Sequence, residues 1–239
     1  MKKAFFGPFL LLFFLMSASP ALAARINLQD WAFNLDGTFS AYDQGTGGPM
    51  PGNFNDTAFD YTLGTGAISH TFSFTGTGSH AIIGFYDFEM DEKTNTFFNE
   101  SGSAVGNAAS GQSWEIDEPD RLYGNIYNHV TAGALDNTNS VAPGSEDDVS
   151  FSLGWNFSLT RMQNALVTFT ISSIMPQTGF FLEHLDAESD NGNGHTLYFS
   201  STLTIKGGHD PIPEPGTILL FGLGLLGISG TCRIKLKKS

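Results

Sequence analysis

The sequence predicts an all-β domain built as an antiparallel β-sandwich, and three observations carry that reading. Large apolar and small polar residues alternate with a period of two in several runs between residues 24 and 208, which puts the apolar groups on one face of each strand. Clusters of Gly, Pro, Asn and Asp separate these runs, and helical periodicity is almost absent between them. The chain holds 22 Phe, and its one cysteine, Cys232, lies outside the domain. Aromatic burial rather than crosslinking must then hold the two sheets together.

The clearest strand is 149–159, where Val149, Phe151, Leu153, Trp155, Phe157 and Leu159 alternate with Ser150, Ser152, Gly154, Asn156 and Ser158. Its pattern is that of a strand buried on one face only. In 167–171, Val167, Phe169 and Ile171 alternate with threonines, and in 197–205 Leu197, Phe199, Leu203 and Ile205 share a face. Further strands are expected over 26–35, 66–74, 80–90, 113–117 and 179–185, with a turn through 91–95. Residues 42–55 and 136–148 read as loops, from their glycines, prolines and polar side chains. Strand order, whether jelly-roll-like or immunoglobulin-like, is left open by these patterns.

Charge narrows the function classes. The formal net charge is −13, and most of the Lys and Arg lie at the two ends, so the interval between holds 23 acids and five bases (Arg25, Lys93, Arg121, Arg161, Lys206). Such a surface repels phosphate backbones, which excludes nucleic acid as a partner. Without a cysteine, the domain also has no disulfide framework, thiolate nucleophile or Cys-ligated metal.

The ends direct the chain out of the cytoplasm. Residues 1–23 join a basic start (Lys2, Lys3) to an apolar run and then Ala21-Leu22-Ala23. That is a signal peptide with a small-residue site at Ala21 and Ala23, so signal peptidase is expected to cut after Ala23. The domain is then 24–208, followed by a tail, 209–239. In the tail, Pro213-Glu214-Pro215 leads into a Gly- and Leu-rich stretch ending in Arg233, Lys235, Lys237 and Lys238. As a helix, 216–232 spans about 25 Å against a hydrocarbon core of about 30 Å, marginally enough for one transmembrane helix. The basic cluster acts as a membrane stop and keeps the C-terminus inside. Proline on both sides of Glu214 keeps the segment outside the membrane extended.

Pro-Glu-Pro, a Gly-Leu-rich helix and a basic end, in that order, resemble the PEP-CTERM sorting signal of Gram-negative bacteria. The resemblance covers only about residues 211–239. It implies recognition by an exosortase, a membrane protease-transpeptidase, and removal of the tail near the sorting motif Pro213, Glu214 and Pro215. It also implies a host that makes exopolysaccharide or biofilm matrix. The basic end here is Lys-rich where Arg is commoner.

The domain itself carries little chemistry. Its histidines show no tight ligand spacing, and no Gly-x-Ser-x-Gly turn occurs, so neither a zinc site nor a serine hydrolase is indicated. Among 23 acids some pair always lies within about 5–10 Å, so a carboxylate pair is no evidence for glycoside hydrolysis. One segment is better than random: Asp186, Glu188 and Asp190 place oxygens at alternate positions before Gly192 and Gly194, a pattern suited to a calcium-stapled loop. It departs from an EF-hand at Asn191 and Leu197, where Gly and Glu are expected. Trp114, beside Glu115 and Asp117, is the candidate for stacking on a sugar. The reading is a non-enzymatic surface or matrix protein whose precursor is anchored in the inner membrane. The alternatives are a polysaccharide-binding module and a polysaccharide-modifying enzyme.

Overall fold

The computed structural model describes residues 26–43, 46–91, 96–119 and 123–208. In chain order the strands are β1 (Ile26–Leu35), β2 (Thr38–Asp43), β3 (Thr46–Gly47), β4 (Asn53–Asp60), β5 (Thr65–Thr75) and β6 (Gly78–Met90), then β7 (Glu100–Val105), β8 (Gln112–Asp117), β9 (Ser150–Leu159), β10 (Gln163–Ser172), β11 (Phe181–Asp186) and β12 (His195–Gly207). They form two six-stranded antiparallel sheets. The first runs β3-β2-β1-β6-β9-β8 and the second β4-β5-β10-β12-β11-β7.

Aromatic side chains from both sheets fill one core. Phe33, Tyr86, Phe88 and Phe151 of the first sheet join Phe72, Phe169 and Phe199 of the second. Phe151 stacks on Phe199 with centroids 4.8 Å apart, and Tyr86 meets the same ring edge-on at 5.2 Å. Each such pair adds about 0.5–1.5 kcal/mol beyond the area it buries. His70 lies in this core. Its Nε2 faces the carbonyl of Pro51, which only accepts, so Nε2 carries the proton and Nδ1 accepts from the Tyr86 hydroxyl at 2.9 Å. Burial pulls its pKa down to about 4, against a smaller opposing effect of the Pro51 carbonyl.

The eight expected strands are all present, and three further long ones accompany them: β2, β4 and β7. β2 follows a two-residue turn, Asp36-Gly37, with both residues at positive φ (50° and 83°). That geometry matches the twist of an antiparallel pair and suits Asp-Gly. β4 breaks its alternation at a register shift between Asn55 and Ala58, and β7 is an edge strand with almost no large side chains, so neither shows the period cleanly.

A short helix also departs from the helix-free expectation: α1 (Ile126–Ala132), within the connection 118–149 between β8 and β9. Its sequence is poor in strong helix formers, and packing holds it instead. Ile126 and Val130 bury against Ala32, Ile83 and Phe85 on the outer face of the first sheet. The Asn34 amide donates to the terminal carbonyls of Val130 and Thr131, at 3.0 and 3.1 Å. Gly133, at φ 75°, ends the helix in the left-handed conformation. Ser150 and Ser152, expected to face water, are therefore fully buried. No helix among the described residues is long and apolar enough to cross a membrane.

Candidate functional site

Strand pairing collects acids on the covered outer face of the first sheet. On β6, Tyr86 and Phe88 point into the core, so Asp87 and Glu89 point the other way. Asp30 of β1 lies directly across from Asp87 on one side and Ser150 of β9 on the other, and Ser150 is in turn opposite Asp117 of β8. A bulge between Leu28 and Asp30 lets both Leu28 and Trp31 reach the core while Asp30 stays in the acidic row.

The densest group is Asp87, Glu89 and Asp148, the last in the segment entering β9. One carboxylate oxygen from each lies within 4.8 Å of the others. Asp87 and Glu89 are 3 % and 6 % exposed. The Asp87 Oδ1 is buried without a hydrogen-bond partner. Burial pushes the Asp87 carboxyl well above the usual carboxylate range, and Glu89, Asp148, Asp30 and Glu100 push it further.

A second group on the same face is satisfied internally. Glu115 Oε1 bonds His129 Nδ1 of α1 at 2.8 Å, and Oε2 accepts the Asp136 N–H at 3.3 Å. The Glu115 hydrogen bond raises the His129 pKa, whereas burial raises that of Glu115 against the pull of His129. Asp117 Oδ2 accepts the Asn125 N–H at 2.6 Å. These contacts tie α1 and the segment before it to β8. Between the sheets at the same end, His184 Nε2 and Glu100 Oε2 form a fully buried pair at 2.6 Å. Burial lowers the His184 pKa to about 4, opposed by Asp148 and Asp186.

The residues singled out in the sequence fall elsewhere. Asp186 is buried, and its Oδ1 accepts the N–H groups of Glu188 and Ser189 at 2.9 and 3.0 Å and the Asn99 amide at 3.1 Å. It thereby starts the short helix α2 (Ser189–Gly192), while Glu188 is exposed; the Asp190 side chain lies outside the described set. Trp114 is half-buried and stands 5.8 Å from Phe180, on the face of β8 opposite to Glu115 and Asp117. Ala21, Ala23, Pro213, Glu214, Pro215, Arg233, Lys235, Lys237 and Lys238 lie outside the described residues.

The sequence reading missed Asp87, Glu89 and Asp148. A signal was present in 82–90, where Ile82, Ile83, Phe85 and Tyr86 are apolar on both parities. A run of that kind marks a strand covered on both faces, so acids that continue it are buried as well.

Residues 211–233 match the family model described as the PEP-CTERM protein-sorting motif. The motif marks an exported protein with a membrane-anchored precursor, and exosortase, a membrane protease, recognises it. No curated protein and no solved structure matches the chain.

Proposed function

We propose that the chain is a non-enzymatic cell-surface or extracellular-matrix protein of a Gram-negative bacterium, part of an exopolysaccharide or biofilm layer. The observation that carries this reading is the sorting motif at 211–233, placed after an acidic sandwich whose described strands end at Gly207. In this reading signal peptidase removes 1–23. The tail then holds the domain outside the inner membrane, and exosortase processes it near Pro213-Glu214-Pro215.

The burial of the four acids on the outer face of the first sheet supports a role without catalysis at that face. A glycosidase acid must reach the glycosidic oxygen, whereas Asp87, Glu89, Glu115 and Asp117 are all buried. The packing of Trp114 against Phe180 likewise favours a contribution to the layer over sugar stacking through that ring.

Intact-mass measurement of protein recovered from the cell surface, for the native chain and for Glu214→Ala with Pro215→Ala, tests the assignment. The native protein should lack 1–23 and the tail beyond the motif, and the double variant should accumulate at full tail length in the inner membrane. Normal maturation of the double variant would overturn the sorting role and leave a plain C-terminal anchor.

A further inference from the structure

We infer that the outer face of the first sheet holds a structural calcium ion between the carboxylates of Asp87, Glu89 and Asp148. Geometry comes first. Calcium–oxygen distances are about 2.3–2.6 Å, so two ligands on opposite sides of one ion lie about 4.6–5.2 Å apart. The three oxygens lie within 4.8 Å of one another, inside that limit. Each pair of these oxygens is therefore close enough to share one ion.

The second observation is independent of the acidic count. Asp87 is 3 % exposed, one of its oxygens belongs to the group, and its buried Oδ1 has no hydrogen-bond partner. A buried, charged carboxylate costs several kcal/mol unless a cation meets it or a proton neutralises it. The neighbouring Glu115 shows the contrast: both of its oxygens receive N–H groups, and it needs no ion.

Charge gives the third argument. Asp30 and Glu100 add to the negative potential at Asp87. Among the described residues the Lys and Arg are Arg161 and Lys206, beyond the far end of β9 and near the end of β12. Lys93 and Arg121 lie outside the described residues, and Glu89 and Asp148 have further contacts of their own. Calcium supplies two positive charges and takes six to eight oxygens, so bidentate carboxylates and water complete the shell. An exported protein meets the ion at concentrations that weak sites need. Because Asp148 ends the connection that carries α1, the ion pins that connection to β6.

The test uses the exported protein recovered from cells, treated with EGTA and then returned to millimolar calcium chloride. Elemental analysis should find one calcium per chain, and the melting temperature should rise by about 5 °C when calcium stands at ten times Kd. In Asp87→Asn, which keeps the shape and removes the charge, calcium should no longer raise the melting temperature. Without calcium that variant should melt no lower than the native chain, because no contact to the ion is then lost. Glu89→Gln, the second variant, should weaken binding at least about tenfold, since site affinity follows ligand charge. Glu188→Gln should leave the response unchanged. A native protein indifferent to calcium overturns the site, and so does a calcium response that survives in both Asp87→Asn and Glu89→Gln. A response lost in Glu188→Gln instead places the ion at the exposed loop and also overturns it.

Discussion

The outer faces of the two sheets have different fates. On the second sheet, Thr71, Thr168 and Thr202 form a line of cross-strand neighbours on β5, β10 and β12, half-buried to exposed. On the first, Ser150, Ser152 and Gly154 of β9 are buried, with α1 packed on the neighbouring residues of β1 and β6. Both faces have the same period of two. The difference lies in what packs on them: α1 covers part of the first face, whereas the second, which also carries Ser69, Ser73 and Ser200, stays half-buried to exposed. Cover then makes buried acids of Asp87, Glu89, Glu115 and Asp117, residues whose composition alone suggests a solvated surface.

The largest effect should come from loosening that cover. Ile126 is fully buried between α1 and the first sheet. Ile126→Ala should lower the unfolding free energy by about 2–5 kcal/mol, the usual range for truncating a buried aliphatic side chain to alanine. Urea denaturation of the exported protein reads the change. A loss under about 0.5 kcal/mol would mean that α1 is a loose attachment, and the contrast between the two outer faces would lose its physical basis.

How much was legible follows from the same contrast. The core strands were readable because each carries several large apolar residues on one parity, as Phe151, Leu153 and Trp155 do. β7 was not, because its inward positions include Glu100 and Gly102, which suit contact with His184 and close approach rather than alternation. β2 was signalled by Asp36-Gly37, which the reading overlooked. α1 had no local signal strong enough: its hold on the sheet comes from Asn34, roughly a hundred residues earlier, and from a face of β6 that looked like ordinary core. The acidic group depends on register between β1, β6 and β9, and pairing of distant strands is not encoded in the period of any one of them.

The interior shared by both sheets should give the next effect. His70 has its pKa lowered to about 4, against about 6.5 in the unfolded chain. Between those values the unfolded state binds more protons, so stability falls as pH drops from about 6.5 toward 4 and is unaffected by this group above that window. The slope from one such histidine is about 1.4 kcal/mol per pH unit at most. His70→Gln should flatten the native pH dependence by roughly that slope, while His184, whose pKa is lowered in the same direction, acts in both proteins. Parallel curves of unfolding free energy against pH for the two proteins would show that His70 is not held neutral by the fold.

A matched pair of exchanges on the two outer faces tests the comparison most directly, with the smallest effects. Ser152→Thr adds one methyl group to a fully buried position on β9, opposite Phe85. With α1 packed on Phe85 the added volume must displace a neighbour, at a cost of about 1–3 kcal/mol. Thr202→Ser removes the same methyl from an exposed position on β12 opposite Thr168. Nothing above it has to move, and the change should stay within about 0.5 kcal/mol. The two exchanges are chemical inverses, so intrinsic strand propensity acts with opposite sign in them: threonine is the better strand former, which favours Ser152→Thr and disfavours Thr202→Ser. If propensity governed both sites, the first variant would be the more stable of the two. If cover governs, the first is the less stable, and the sign of their difference in urea midpoint decides which force shapes the outer faces.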